Sequence, residues 1–467
     1  MTPVAFLRPL GALWVLLAGV ALIAALVAAA LGEPHLAPLF GTTALVAFIP
    51  GIFILAATRS LRSKASALDA LGLALLSWIT APAMAAMPFW LTGYFDPMDA
   101  VFEAYSAVTT TGATLLPADD LPRSLIFWRA SLAWLGGYAT LLLAIGIFAA
   151  LDRDVPAIRK SALLTLQSDD VFSHLPLAAR RVGIIYATLT SLIWLGLLFA
   201  GNGLFASTVL SMSAISTSGY TVADGGLLET VGPISTLWIV VGCLIGSLNI
   251  ALFWDVLRDR SVFRDPDIAG IGALIVGLTA FFVLGRPGTP FSDAIDAVFI
   301  VSTSGFSAGG GVIPALAATI FVALIGGSAA STTGGIKVSR ILLLWKRMGA
   351  ELAVLSDPRS VVPVSFRGRR VRESALVGVW SYVLAFVAAI GFGTMALTAT
   401  GLDFETAFLA MAASLANIGP LLDQSAPLAS WTQMPDQSKP ILISAMILGR
   451  LEVLAAVAAV WALFIRK

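Results

Sequence analysis

Four short stretches of the chain end in the same chemistry. Each is an apolar run of about a dozen residues, at 97–108, 205–215, 291–301 and 404–415. The first three close on Thr109-Thr110-Thr111-Gly112, Ser216-Thr217-Ser218-Gly219 and Ser302-Thr303-Ser304-Gly305, and the fourth on Asn417-Ile418-Gly419. Glycine enters positive φ at no steric cost, so such loops can turn consecutive carbonyl oxygens toward one axis. A ring of carbonyls replaces the hydration shell of a monovalent cation. Hydroxyls just before the glycine are placed to hold the loop in shape. The candidate ion ligands are Thr110, Thr111, Gly112, Thr217, Ser218, Gly219, Thr303, Ser304, Gly305, Asn417, Ile418 and Gly419. The plain alternative is helix packing, since Ser, Thr and Gly triplets are common in apolar helices. Four at matched positions favour the ring.

Such loops need elements to hold them. Of 467 residues, 58% are hydrophobic and only 12% charged, where a soluble domain carries about 25% charged residues. That excludes a soluble enzyme, a nucleic-acid binder and a disordered scaffold. A bilayer core takes about 20 apolar residues per helix. Ten candidate spans read from the sequence, at 11–31, 42–58, 68–91, 124–151, 182–200, 235–256, 268–284, 312–345, 374–400 and 440–465. The second is short and holds Pro50-Gly51, a kink candidate. The dozen-residue stretches are too short to span and read as re-entrant helices. Two spans separate each consecutive pair, so all four glycines face one side. The unit is span, short helix, glycine loop, span. The expected fold is an all-α integral membrane protein, with four such repeats around a pseudo-fourfold pore and two transmembrane helices before them. The expected limits are 1–66, 67–160, 161–264, 265–372 and 373–467.

Charge orients the chain. With both termini in the cytoplasm, the inner segments hold Arg59, Arg62, Lys64, Arg153, Arg159, Lys160, Arg180, Arg181, Arg258, Arg260, Arg264, Lys346, Arg347, Arg359, Arg367, Arg369, Arg370 and Arg372. The outer segments hold only Arg123, Arg129, Arg286 and Lys439 as bases, which satisfies the positive-inside rule. Most of the acids fall outside, among them Glu33, Glu103, Asp224, Asp293, Asp296 and Asp423. The net charge of +1 thus hides an acidic outer face that would concentrate cations. Glu103 and Asp296 each lie nine residues before a loop glycine, as pore-helix supports or ion ligands. The single cysteine, Cys243, excludes an intramolecular disulfide. His35 and His174 read as loop residues.

The span at 312–345 is interrupted by Gly326-Gly327-Ser328 and Thr332-Thr333-Gly334-Gly335, a poor helix interior. Broken membrane helices mark transport sites. This is the one clear break in the sequence. Gly246-Ser247-x-Asn249 and Trp134-Leu135-Gly136-Gly137 read as packing surfaces. Arg450 lies inside the last span, where a charge is costly and functional by default. The expectation is that it faces the pore and meets carbonyls of the 326–335 loop. A pair with Glu452 or snorkelling to the interface is the alternative, although residues two apart face different sides of a helix. Lys337 supports the loop or charges the inner mouth.

These residues resemble the TrkH/KtrB potassium transporters of the Trk/Ktr/HKT superfamily. The resemblance lies in the run at 103–114 (EAYSAVTTTGAT), in Phe127-Trp128-Arg129 with Trp134-Leu135-Gly136-Gly137, and in the run at 326–340 (GGSAASTTGGIKVSR). Asn417-Ile418-Gly419-Pro420 and the run at 446–452 (MILGRLE) complete it. The two leading spans resemble the extra pair of the TrkH branch. The resemblance implies K⁺ uptake through a channel-like pore in the bacterial cytoplasmic (inner) membrane. It implies a gate formed by Gly326, Gly327, Ser328, Thr332, Thr333, Gly334, Gly335, Lys337 and Arg450, and four filter glycines of a K⁺-preferring pattern. It also implies a homodimer and a cytosolic TrkA-like ring of RCK domains. K⁺ is the transported ion, and no organic cofactor or nucleic acid is expected. Two departures stand out: a hydroxyl-rich second filter, and a fourth without hydroxyls before its glycine. The competing readings are a Na⁺-permeable or Na⁺-coupled relative, an organic-solute transporter and a membrane enzyme. Parallel repeats count against the second of these, and the lack of a catalytic dyad against the third.

Overall fold

The computed structural model describes residues 3–59, 67–151, 175–256, 263–285, 289–425 and 429–451. His174, Glu452, Arg62, Lys64, Arg153, Arg159, Lys160, Arg258, Arg260 and Arg286 lie outside the described residues.

An apolar medium offers the backbone no partner but itself, so the long elements are helices. The chain opens with the pair α1 (Pro3–Ala30) and α2 (Ala37–Ala57). A Cβ on Gly11 or Gly51 would stand 3.0 Å from the other glycine's carbonyl oxygen, so small residues let these helices cross closely. The second helix starts earlier than expected and passes through Pro50 unbroken.

A four-fold pattern follows. Its first round is α3 (Ala67–Ala85), the short α4 (Met87–Leu91), the half-length α5 (Pro97–Val108) and the returning α6 (Arg123–Leu151). The second is α7 (Leu175–Phe199), the half-length α8 (Leu204–Ser216), a turn of helix α9 (Leu227–Thr230), then α10 (Pro233–Ser247) and α11 (Ile250–Asp255). The third is α12 (Pro266–Gly285), the half-length α13 (Pro290–Val301), α14 (Leu316–Ile325) and α15 (Val338–Ser356). A two-stranded hairpin, β1 (Ser365–Phe366) and β2 (Arg369–Arg370), leads to the fourth round. That round is α16 (Glu373–Thr398), the half-length α17 (Phe404–Leu415), α18 (Pro420–Gln424) and α19 (Lys439–Leu451).

Among the described residues, seven helices are long and apolar enough to cross a membrane. The other three expected spans differ for physical reasons. The returning segment at 235–256 is broken: α10 ends at Ser247, Leu248 is extended, and the Asn249 side chain restarts the helix by accepting the Ala251 N–H at 2.9 Å. Gly246-Ser247-x-Asn249 is therefore a break, not a packing surface within one helix. The segment at 312–345 splits into α14 and α15, as the glycines require. The last span is described only to Leu451.

The half-length helices have 12 or 13 residues. A rise of about 1.5 Å per residue makes them roughly 18 Å long, so they stop inside a core about 30 Å thick. Pro97 and Pro290 start two of them, at the position where a missing N–H is harmless. Asp403 caps a third by accepting the Thr406 N–H at 3.0 Å.

Close contacts hold these ends in place. A Cβ on Gly136 would lie 1.8 Å from the Val108 carbonyl oxygen, at the end of α5. The Trp134 indole donates to Thr190 Oγ1 at 3.0 Å and its ring packs on Tyr186. Trp134-Leu135-Gly136-Gly137 is therefore a packing motif. Gly136→Ala forces α6 off the end of α5, an overpacking cost of about 1–3 kcal/mol or more. We expect the detergent-solubilised variant to melt several degrees below the parent. Gly378→Ala, where a Cβ meets nothing within 4 Å, is the control and should melt at or slightly above the parent temperature.

Candidate functional site

The four half-length helices end in one hydrogen-bond pattern. After α5, Thr110 N–H donates to Ala107 O at 2.9 Å and Thr111 N–H to Ser106 O at 2.8 Å. The same pair recurs as Thr217→Ala214 and Ser218→Ser213, as Thr303→Ile300 and Ser304→Phe299, and as Asn417→Ser414 and Ile418→Ala413. This is the Schellman motif, which usually places glycine in the left-handed position. Here that position holds Thr110, Thr217, Thr303 and Asn417, with φ of 51°, 52°, 53° and 51°. The left-handed conformation costs a side-chain-bearing residue roughly 1–2 kcal/mol, and asparagine tolerates it best.

The sequence reading put the positive φ on the glycine two residues later. Gly112, Gly219 and Gly305 have it, at 75°, 77° and 67°. Gly419 does not: its φ of −54° and ψ of −45° are helical, and α18 begins there. The α region before a proline is penalised partly through Cβ, and Gly419, preceding Pro420, has none.

Close approach is what all four glycines share. A Cβ on Gly112 would lie 1.8 Å from Ser218 O, and one on Gly219 would lie 2.1 Å from Ser304 O. One on Gly305 would lie 3.0 Å from the Pro420 ring, and one on Gly419 would lie 2.2 Å from Ala113 N. Each loop touches the next, and the fourth returns to the first. Gly419 N–H donates to Thr111 O at 2.6 Å and Asn417 Nδ2 to Thr111 Oγ1 at 2.9 Å, closing the circle.

Behind the ring, hydroxyls pair in three loops: Thr109 with Thr111, Ser216 with Ser218, and Ser302 with Ser304, at 2.8, 3.1 and 3.1 Å. The fourth loop has Ala416 and Ile418 instead, and Asn417 ties it to Met446 O at 3.1 Å. Glu103 accepts the Leu115 N–H at 2.6 Å and Asp296 the Ala308 N–H at 2.7 Å, each three residues beyond its glycine. Both carboxylates are buried and brace the loops. Asp293 is buried as well, so the acidic outer face is narrower than the sequence implied.

On the Gly112, Gly219 and Gly305 side lies a cavity of about 320 Å³. Asp224, Asp423 and Gln424 also line it. Asp224 accepts the Ala118 and Asp119 N–H groups at 3.0 and 3.3 Å. Burial pushes the Asp423 carboxyl up to about 6, against hydrogen bonds from Trp431 N–H and Ser430 Oγ that favour its charged form. Gln424 Nε2 donates to the Gly305 carbonyl.

On the other side, the loop between α14 and α15 fills the break between α10 and α11. Ser328 N–H donates to Ser247 O at 2.9 Å, Thr332 N–H to Gly246 O at 3.1 Å, and Ile250 N–H to Ala330 O at 3.1 Å. Glycine is again a matter of space: a Cβ would stand 2.7 Å from Ser247 O at Gly327 and 1.8 Å from Ala416 O at Gly334. At Gly326 and Gly335 it would stand 2.2 Å from Gly334 O and 2.8 Å from Leu324 O. Lys337 Nζ donates to Thr333 O and, at 3.2 Å, to Thr333 Oγ1. It braces the loop from within.

Arg450 joins the two layers. Its Nη1 donates to Thr332 O at 2.6 Å and to Thr333 O at 3.3 Å. Its Nε donates to Thr109 O and its Nη2 to Thr110 Oγ1. The left-handed residues face the same layer. Thr217 Oγ1 donates to Thr332 Oγ1 at 3.3 Å, and Thr303 Oγ1 accepts the Gly334 N–H at 2.9 Å. Sequence reasoning missed the Gly246–Asn249 receptor for the loop. Its signal was a second cluster of helix breakers inside a returning span.

Residues 301–463 match the family described as TrkH, cation transport protein. The Trk system potassium uptake protein TrkH of Halomonas elongata is 30% identical over 434 residues, covering 88% of each chain. The protein of the same name from Escherichia coli K12 is 29% identical over 472 residues, covering 96% of each chain. The crystal structure of the potassium transporter TrkH from Vibrio parahaemolyticus matches with a TM-score of 0.86 at 28% identity, over 100% of both chains. With this identity carried over nearly nine-tenths of both sequences and one architecture shared end to end, the protein belongs to the TrkH family of cation transport proteins.

Proposed function

We propose that this protein takes up potassium ions across a lipid bilayer through a gated pore. The observation that carries the reading is the closed circle of four loops, each reaching the next through its glycine. The potassium-transporter names of its relatives agree. In this reading Thr110, Thr111, Gly112, Thr217, Ser218, Gly219, Thr303, Ser304, Gly305, Asn417, Ile418 and Gly419 form the filter. Their carbonyls replace the hydration shell of K⁺. The C-terminal ends of α5, α8, α13 and α17 add partial negative charge. A membrane potential supplies about 2.3 kcal/mol per charge per 100 mV.

The gate is the loop of Gly326, Gly327, Ser328, Thr332, Thr333, Gly334, Gly335 and Lys337, together with Arg450. The Arg450 guanidinium occupies carbonyls that a passing cation would use. Conduction therefore requires it and the loop to move. The division into an N-terminal pair and four repeats, at the limits given above, belongs to this reading. So do the bacterial inner membrane, cytoplasmic termini, a homodimer and a TrkA-like RCK ring. Exposed Arg359, Arg369, Arg370 and Arg372 around the hairpin support a cytosolic acidic partner on that side.

The function is tested by restoring growth of a K⁺-uptake-deficient bacterium at low K⁺, and by K⁺ against Na⁺ flux in proteoliposomes. Flux that favours Na⁺ overturns the potassium assignment. Arg450→Ala should raise basal K⁺ flux by roughly tenfold or more, the worth of at least one of its charge-assisted hydrogen bonds. Unchanged flux in a monodisperse variant refutes the gate.

Asp423 gives a pH test. Its carboxyl, raised to about 6 by burial, is charged above that pH and takes a proton as the outer pH falls through it. The cavity then loses negative charge and attracts fewer cations. Uptake at low external K⁺ should fall roughly twofold through this window, the worth of one charge several ångströms away in water. Asp423→Asn should be low and flat across the same window.

A further inference from the structure

A buried ionic cluster lies against the 326–335 loop. Asp267, in the first turn of α12, is fully buried. Its Oδ2 accepts a 2.5 Å hydrogen bond from Ser328 Oγ. The same oxygen lies 3.0 Å from Arg367 Nη2, which also donates to Asp265 Oδ1 at 2.8 Å. Arg367 thus reaches the loop through one carboxylate.

Arg367 sits at the tip of the hairpin. Phe366 pairs with Arg369, so Arg367-Gly368 is a two-residue turn, with φ of 50° and 73°. Positive φ at both positions belongs to the type I′ turn, which favours asparagine or glycine. An arginine there is strained, and strain of this kind marks a side chain with work to do. The hairpin is also anchored on the helix that leaves the loop. Phe366 is buried with Leu343 of α15 and with Leu376 and Val379 of α16. Lys346 Nζ donates to Ser365 O at 3.0 Å.

We propose that Arg367 and Asp267 are positioning residues that latch the 326–335 loop in its pore-filling place, with Ser328 as the catch. The proposal deepens the gate reading and rests on it. A buried carboxylate is costly unless paired, and Arg367 compensates the charge of Asp267. A charged acceptor in turn holds the Ser328 hydroxyl more strongly than a neutral one. Moving the hairpin pulls on the loop from two sides, through Asp267 and through α15.

The test measures basal K⁺ flux of the full chain in proteoliposomes for Ser328→Ala, Arg367→Ala, Arg367→Lys, the Ser328→Ala/Arg367→Ala double variant and Arg450→Ala. Both single alanine variants should raise basal flux by roughly tenfold, the worth of one charge-assisted hydrogen bond. Arg367→Lys should stay near the parent. The double variant should exceed neither single, because the two contacts act in series. Ser328→Ala removes one hydroxyl from the loop and carries the test if Arg367→Ala fails to fold. If Arg450→Ala leaks and folded latch variants do not, or if their effects multiply, the latch is wrong and the gate stands. If no folded variant leaks, Arg450→Ala included, the gate reading falls and the latch with it.

Discussion

A helix that stops inside an apolar slab leaves its last carbonyls without N–H partners. Outside a membrane, water would satisfy them. Inside one, such ends survive only where protein or a wet cavity surrounds them. Four helices stop in this way here, at Val108, Ser216, Val301 and Leu415. The Schellman turns satisfy two carbonyls at each end. Carbonyls beyond them need another partner. At Thr109 that partner is the Arg450 guanidinium, tethered to α19. The proposed transport reading exchanges this fixed cation for mobile ones.

The ring is made by backbone, so its precision depends on how near four loops can come. Glycine sets that limit. Three of the ring glycines combine a positive φ with close approach, and Gly419 has the close approach alone. The strain sits two residues earlier, on three threonines and an asparagine. Those residues are more than spacers. A glycine would relax the turn and remove the side chain that reaches the layer beneath. Thr110 meets Arg450, Thr217 meets Thr332 and Thr303 meets Gly334. The shape of the ring and the position of the 326–335 loop are thus joined by the side chains that carry the strain.

The fourth loop departs from the others throughout. It lacks the hydroxyl pair, begins a helix at its glycine and ties itself to its neighbours through Asn417. The Trp431 indole holds Gly419 O at 2.8 Å. A pseudo-fourfold ring built from one chain need not be uniform. One loop here is fixed by side chains and an indole where three are fixed by hydroxyls.

Much of this was legible in the sequence. Apolar length gave seven of the ten expected spans among the described residues, the dozen-residue runs gave the half-length helices, and Ser, Thr and Gly at their ends gave the loops. These are local properties, written in consecutive residues. Arg450 stood out because a charge in an apolar span is rare on energetic grounds. Tertiary structure decided what each local signal was for. Gly246-Ser247-x-Asn249 reads as packing until the 326–335 loop is seen in the gap it opens. Glu103 and Asp296 read as pore-helix supports or ion ligands until their backbone N–H partners place them as braces of the loops. Positive φ held at Gly112, Gly219 and Gly305 but not at Gly419, and it appeared as well at Thr110, Thr217, Thr303 and Asn417, where the helix ends turn. The sequence by itself determined where the four half-length helices stop. Only the tertiary structure decided which groups meet at those stops, because contacts between residues hundreds of positions apart leave no local trace.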